Sequence, residues 1–106
     1  MTVRFAVSLA VLLGVAAGCG PQQALSPEAE RGRQVYQSQC IACHNPDPAQ
    51  AGPVGPPVKG SSRELLETKV LKGTYPPGYR PKRPTAVMQP MPQMTDNIPP
   101  LGEYLK

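Results

Sequence analysis

The sequence has very few aromatic residues and a single histidine. Its 106 residues include no Trp, one Phe and four Tyr, beside three Cys and 15 Pro. A short chain with so few large apolar side chains buries little surface by itself, so we expect it to pack around a bound apolar group. No segment carries the pattern of a β-strand. The single histidine excludes every site that needs two imidazoles.

The longest apolar run lies at the N-terminus and is too short to cross a bilayer comfortably. It extends over residues 5–17, which fits the core of a secretory signal. Small residues then precede a cysteine in Val15-Ala16-Ala17-Gly18-Cys19. This pattern resembles the lipobox of bacterial lipoproteins, and ordinary signal cleavage is the alternative. We therefore predict a lipoprotein-type signal peptide over residues 1–18, which is removed, and a lipidated Cys19.

The predicted lipid would place the chain outside the cytoplasm, anchored in a membrane. Stable attachment needs more than one acyl chain, which a lipoprotein anchor supplies. We expect residues 19–26 to form the lipidated tether and residues 27–106 to form one domain. The predicted location is the periplasm or the cell surface.

A pentapeptide, Cys40-x-x-Cys43-His44, carries the clearest chemistry of the chain. Two thiols at this spacing can add to the two vinyl groups of one haem, and the next histidine is then held under the iron. The alternatives are a redox dithiol, which would need a βαβ context, and a zinc site, which needs four ligands. The only other cysteine is the distant Cys19. We predict one covalent haem c on Cys40 and Cys43, with His44 as an axial ligand.

Helix signals occur in three places, separated by long segments rich in Pro and Gly. Each helix has a polar residue before its first turn, and the prolines of the last helix are tolerable only in its first turn. The predicted elements are a helix from Ser26 to about Gln39, a loop over 45–60, a helix over 62–72 ended by Gly73, a loop over 74–92, and a helix capped by Asp96 or Asn97 that contains Pro99 and Pro100. The chain is therefore predicted to be all-α.

Four motifs together resemble the class I, mono-haem cytochromes c, in the form of a small bacterial lipoprotein. The resemblance covers residues 28–106. It rests on Gly32-x-x-Val35-Tyr36 before the haem motif, on Gly55-Pro56-Pro57-Val58-Lys59-Gly60, on the Met-rich stretch 88–96, and on Leu101-x-x-Tyr104. It implies a class I cytochrome c-like fold of about three helices with long loops around a covalent haem.

The family also implies roles for particular residues. Gly32 would let the first and last helices cross closely, with Tyr36, Leu101 and Tyr104 packed at the crossing. The carbonyl of Pro56 would accept the Nδ1 proton of His44 and so leave Nε2 for the iron.

The second axial ligand is expected to be a methionine, because His44 is the only histidine. Met88 precedes Leu101 by a spacing close to the family pattern, and we predict it as the ligand. Met91 is the alternative, since it keeps a Met-Pro pair. Met94 takes a position where the family usually has a packing residue.

Iron with both axial positions filled by His and Met has no open site for oxygen or peroxide, which favours one-electron transfer over catalysis. We therefore predict an electron carrier and no enzyme activity of its own. One alternative is a haem subunit of a larger redox enzyme, such as a sulfur- or alcohol-oxidising complex. Another is a gas sensor in which carbon monoxide displaces Met88.

The positive charge of the chain is concentrated in one segment. Residues 59–83 hold seven Lys or Arg and two Glu, whereas the formal net charge of the whole chain is +4. This segment adjoins the Met-rich stretch, so we expect it to dock redox proteins that present acidic surfaces. The alternatives are a solvated face or a face held near anionic lipid. We expect redox protein partners, a membrane contact through the lipid, no nucleic acid, and a monomer.

Overall fold

The computed structural model describes residue 18 and residues 24–106. The predicted lipidation at Cys19 lies outside the described residues. The predicted signal peptide also lies outside them, apart from Gly18, as does most of the predicted tether. In the part of the chain that is described, no helix is both long and apolar enough to span a membrane.

Three helical regions and long loops make up the described chain, and these residues contain no strand. The prediction of an all-α fold is therefore confirmed. In chain order the elements are α1 (Pro27–Gln39), α2 (Arg63–Leu66), a π-helix (Glu67–Leu71), a 3-10 helix (Pro92–Asn97) and α3 (Ile98–Tyr104).

Helix α1 begins and ends where the sequence predicts. The Ser26 side chain accepts a hydrogen bond from the Ala29 N–H at 3.1 Å, and Pro27 occupies the first turn, where its missing N–H has no intrahelical partner to lose. At the other end, the Cys40 N–H donates to the Tyr36 carbonyl at 2.9 Å. The helix thus delivers Cys40 directly into the turn that follows.

The second helical region differs from the uniform α-helix predicted over 62–72. It starts as expected, with the Ser62 hydroxyl accepting from the Leu65 N–H at 3.1 Å, but it becomes a π-helix after Leu66. The Thr68 hydroxyl donates to two carbonyls of the preceding turn, those of Glu64 at 2.9 Å and Leu65 at 3.2 Å. Such bonding competes with the backbone ladder and accompanies the wider turn. Gly73, with a φ of 71°, ends the region as predicted.

The last helix also follows its prediction only in part. It starts after Asn97, and Pro99 and Pro100 lie in its first turn, as expected. Asn97 makes no side-chain cap, however, and its Nδ2 donates to the Met94 sulfur at 3.8 Å. The 3-10 helix before it removes the need for a cap, since that helix leads the chain straight into α3.

The core lies where α1 crosses α3. A Cβ on Gly32 would overlap the Pro100 carbonyl and lie 2.8 Å from the Tyr104 Cβ, so only glycine permits this approach. The rings of Tyr36 and Tyr104 pack beside it with centroids 5.6 Å apart. The close crossing expected at Gly32 is therefore present. The buried cluster around it consists of Tyr36, Leu66, Val70, Met94, Ile98, Leu101 and Leu105.

The loop between α1 and α2 is well held by backbone hydrogen bonds. The Pro48 carbonyl accepts hydrogen bonds from the backbone N–H groups of Val58 at 2.8 Å and Lys59 at 2.9 Å. The Gly60 N–H donates to the Leu105 carbonyl at 2.5 Å. Because these bonds tie the loop to itself and to the end of α3, its inner edge has a fixed position beside the core.

Candidate functional site

A cavity of about 610 Å³ opens beside the core, within the size range of small-molecule and cofactor sites. Its walls come from the end of α1, the loop after it, the second helical region and the segment before the 3-10 helix. Every residue that the sequence places at the haem lines this one cavity: Cys40, Cys43, His44, Pro56, Met88 and the alternative Met91.

His44 is held in one orientation by the loop behind it. Its Nδ1 lies 3.0 Å from the Pro56 carbonyl oxygen, the contact expected from the sequence. A carbonyl can only accept, so Nδ1 donates its proton and Nε2 keeps its lone pair. An imidazole in this tautomer is a metal ligand whose ring direction is fixed by the bond on its other side.

Gly55 allows this loop to press against the imidazole. A Cβ at this position would lie 2.5 Å from Nδ1 and 2.9 Å from Nε2 of His44, closer than any side chain tolerates. The Cys43 carbonyl accepts from the N–H groups of Val54 at 3.2 Å and Gly55 at 2.8 Å, which fastens the loop behind the ring. The glycine of the Gly-Pro pair is therefore a requirement of the site.

The two cysteines lie on a tight turn at the end of α1. Cys40 is half-buried and Cys43 is exposed, and no disulfide joins the two. Burial raises the pKa of the Cys40 thiol to about 11. The His44 N–H donates to the Cys40 carbonyl at 2.9 Å, so one turn presents both thiols and the imidazole to the cavity.

The three candidate methionines take two different environments. Met88 and Met91 are half-buried and line the cavity, whereas Met94 is 4 % exposed and belongs to the core cluster. Met94 therefore has the packing position that the sequence suggests. The Met91 backbone is pinned, because its N–H donates to the Val70 carbonyl of the π-helix at 2.6 Å.

Tyr36 has a second contact that the sequence did not reveal. Its hydroxyl donates to the Asn45 carbonyl at 2.6 Å, which ties α1 to the chain just after His44. Burial raises the pKa of Tyr36 to about 12. The sequence indicates only that Tyr36 lies four residues before Cys40, one helical turn away. In the structure it lies on the inner face of α1 and lines the cavity.

The rim of the cavity is cationic and aromatic. The Lys69 Nζ lies 4.4 Å from the ring centroid of Tyr75, and Tyr75 stacks on Tyr79 with centroids 5.4 Å apart. Lys82 and Arg83 also line the cavity. Within residues 24–106, no three side chains of His, Cys, Asp or Glu form a group that could hold a metal ion by themselves.

This set of groups fits a covalently attached haem. Two thiols and an oriented imidazole are presented together by one turn, thioethers come from another wall, and basic side chains at the rim suit the two carboxylates of a haem. Nothing in the lining conflicts with an apolar macrocycle.

Comparison with known families gives the decisive observation. The family model described as "Cytochrome C oxidase, cbb3-type, subunit III" matches residues 27–99, which is more than half of the chain. The chain belongs to this family. No curated protein matches it.

Membership of this family of cytochrome c domains establishes the general activity. The cytochrome transfers electrons through covalently bound haem c, and it does so as an electron carrier, whether alone or within an oxidoreductase. The all-α fold agrees with this assignment. Domains of this family are typically extracytoplasmic.

Proposed function

We propose that this cytochrome is a membrane-anchored, mono-haem electron carrier that works outside the cytoplasm. Cys40 and Cys43 form the thioether bonds to one haem, and His44 and Met88 are the axial ligands of its iron. The observation that carries the proposal is the hydrogen bond from His44 to the Pro56 carbonyl, inside a cavity that Cys40, Cys43 and Met88 also line.

The residues around the site are arranged so that little has to move when the site gains or loses one electron. The bound haem supplies a one-electron couple between ferrous and ferric iron. His44 is fixed by Pro56 and Gly55, so its ring keeps one direction in both redox states. A methionine at the other axial position raises the reduction potential, and two protein ligands leave no position for a substrate.

Cys19 supports the proposed membrane anchor and the location outside the cytoplasm. Its place after a short apolar run and small residues is that of a lipidated cysteine in a lipoprotein signal. The domain starts at Pro27, only a few residues later, so a lipid on Cys19 would hold it close to the membrane surface. Attachment of haem outside the cytoplasmic membrane agrees with this route.

The basic segment 59–83 is the proposed docking surface for an acidic redox partner. Three of its basic side chains line the cavity where the haem would be reached: Lys69, Lys82 and Arg83. Arg63 of the same segment instead forms a salt bridge with Glu67 at 2.9 Å. Charges at such an interface mainly speed the encounter, so electron transfer to the partner should slow steeply as salt is added. Rates that do not depend on salt would remove this part of the proposal.

A second candidate is a haem subunit that stays bound in a larger redox complex. The matching family is named for a subunit of an oxidase, which favours this candidate over a gas sensor. Mild extraction from the native membrane discriminates the two functions. A stoichiometric partner that co-purifies supports the subunit, and a lone cytochrome supports the carrier.

The decisive experiment combines a visible spectrum with a mass spectrum of the protein extracted from membranes. We expect the spectrum of a low-spin haem c, one covalent haem per chain, and a lipid on a peptide that begins at Cys19. The Cys19→Ser variant should keep the haem and lose the membrane attachment, whereas the Cys43→Ala variant should lose one thioether bond. A chain without covalent haem would refute the proposal.

A further inference from the structure

The segment that carries Met88 is held to the protein by very few hydrogen bonds. Residues 81–87 are all exposed, and among the described residues the stretch 80–90 makes one hydrogen bond. The stretch contains Pro81, Pro84 and Pro90, which have no N–H to donate. Its position therefore cannot come from a network of backbone bonds.

The single hydrogen bond crosses from one wall of the cavity to another. The Lys82 ammonium donates to the Pro57 carbonyl at 2.9 Å, over 25 residues of chain. Both residues line the cavity. The bond is charge-assisted, which makes it stronger than one between neutral groups.

The acceptor belongs to the well-held loop. Pro57 follows Pro56, whose carbonyl accepts from His44, and the next residues are tied to Pro48 by two backbone bonds. Beyond the hydrogen bond of Lys82, the segment with Met88 is held by the packing of the Met88 side chain against the core cluster and by contacts at its two ends. On one side Tyr75 stacks on Tyr79, and on the other Met91 donates to Val70.

We propose that Lys82 is a positioning residue, a clamp that fastens the Met88 segment to the loop behind His44. The clamp couples the two walls from which the proposed axial ligands come, and it limits how often the Met88 side of the cavity opens. This inference rests on the proposed His44 and Met88 ligation, but the clamp itself is a contact between protein groups. It differs from the proposed docking role of the basic segment, because it needs the donor atom of Lys82 and not only its charge.

The test uses the haem-loaded, full-length protein with matched charge variants. Lys82→Met removes the donor and one charge, and Lys82→Arg keeps both. Lys72→Met is the charge control, because it removes one charge from an exposed residue of the basic segment 59–83 that does not line the cavity. One measurement is the affinity of the ferric protein for added imidazole, which must displace the methionine. The other is the rate of thermolysin cleavage within residues 85–88.

We expect both the imidazole affinity and the cleavage rate of the Lys82→Met protein to rise about fivefold, the order that one exposed, charge-assisted hydrogen bond supports. In these two measurements the Lys72→Met and Lys82→Arg proteins should match the wild type. A Lys82→Met protein that is cleaved no faster than the Lys72→Met protein would overturn the clamp. Faster cleavage with unchanged imidazole affinity would overturn it too, provided the wild type shows the near-infrared band of iron–methionine ligation. If the wild type lacks that band, the ligand assignment fails and the cleavage rates alone decide the clamp.

Discussion

Gly32 and Pro100 approach so closely that no side chain fits between them. A Cβ on Gly32 would lie 2.6 Å from the carbonyl carbon of Pro100 and overlap its oxygen. This contact sets the distance between α1 and α3. Because Cys40 directly follows α1, the contact also sets the position of the candidate haem-binding turn relative to the core.

Replacing Gly32 with Ala should destabilise the holoprotein strongly. The added methyl group meets backbone atoms of α3, which cannot move aside as a flexible side chain would, so we expect a loss of about 3 kcal/mol in the free energy of unfolding. Denaturant unfolding followed by circular dichroism measures it. Gly102→Ala is the control, since its Cβ would meet only the Leu66 Cδ1 at 3.7 Å. The control should leave stability unchanged or raise it by up to about 1 kcal/mol.

Replacing Gly55 with Ala should disturb the iron site more than the fold. The methyl group would lie within 2.5 Å of Nδ1 of His44, so the ring must turn and its bond to Pro56 must lengthen. We expect a lower reduction potential or loss of the low-spin haem spectrum, measured by spectroelectrochemistry. The Gly102→Ala protein should match the wild type in both measurements. An unchanged potential in the Gly55→Ala protein would show that the loop does not set the direction of the imidazole.

Single replacements of the two cavity methionines should identify the second axial ligand. Met88→Ala is expected to abolish the weak near-infrared band of the oxidised protein, because that band needs a thioether bound to iron. Met91→Ala should keep the band, and Met94→Ala should keep it as well while lowering stability, since Met94 is buried in the core. Loss of the band in the Met91→Ala protein alone would move the assignment to Met91.

Replacing Tyr36 with Phe should change how stability depends on alkaline pH. Burial raises the pKa of Tyr36 from 10.0 to about 12, so between these values the folded chain keeps a proton that the unfolded chain has lost. The stability contributed by Tyr36 is complete below pH 10 and is lost as the pH rises towards 12. In the Phe variant this part of the decline should disappear.

At neutral pH the same variant should lose about 1 kcal/mol, the value of the hydrogen bond to the Asn45 carbonyl. Denaturant unfolding at neutral pH and at several alkaline pH values measures both effects. Equal slopes for wild type and variant between pH 10 and pH 12 would contradict the shifted pKa.

Local signals predict most of the fold. Ser26 and Pro27 mark the start of α1, Ser62 the start of α2, and the paired prolines can only lie in the first turn of α3. The haem motif can be recognised without a structure, since its two cysteines and its histidine lie within five consecutive residues. These features depend on residues within a few positions of one another.

The features that the sequence misses depend on partners far along the chain or on competition between similar structures. Hydrogen bonds in a π-helix span five residues and those in an α-helix span four, so the two are similar in sequence, and Thr68 gives only a weak hint of the π-helix. The bonds from Tyr36 to Asn45 and from Lys82 to Pro57 end on backbone carbonyls, which any residue could supply. No side-chain pattern can therefore predict these two hydrogen bonds.

The prolines of the loops have a consequence for the unfolded chain. Each proline fixes its own φ and restricts the residue before it, so the denatured chain has fewer conformations to lose when it folds. The segment from Tyr75 to Met91, which has almost no regular structure, contains Pro76, Pro77, Pro81, Pro84 and Pro90. These prolines therefore reduce the conformational entropy that the segment loses on folding, which favours its ordered state although few hydrogen bonds hold it.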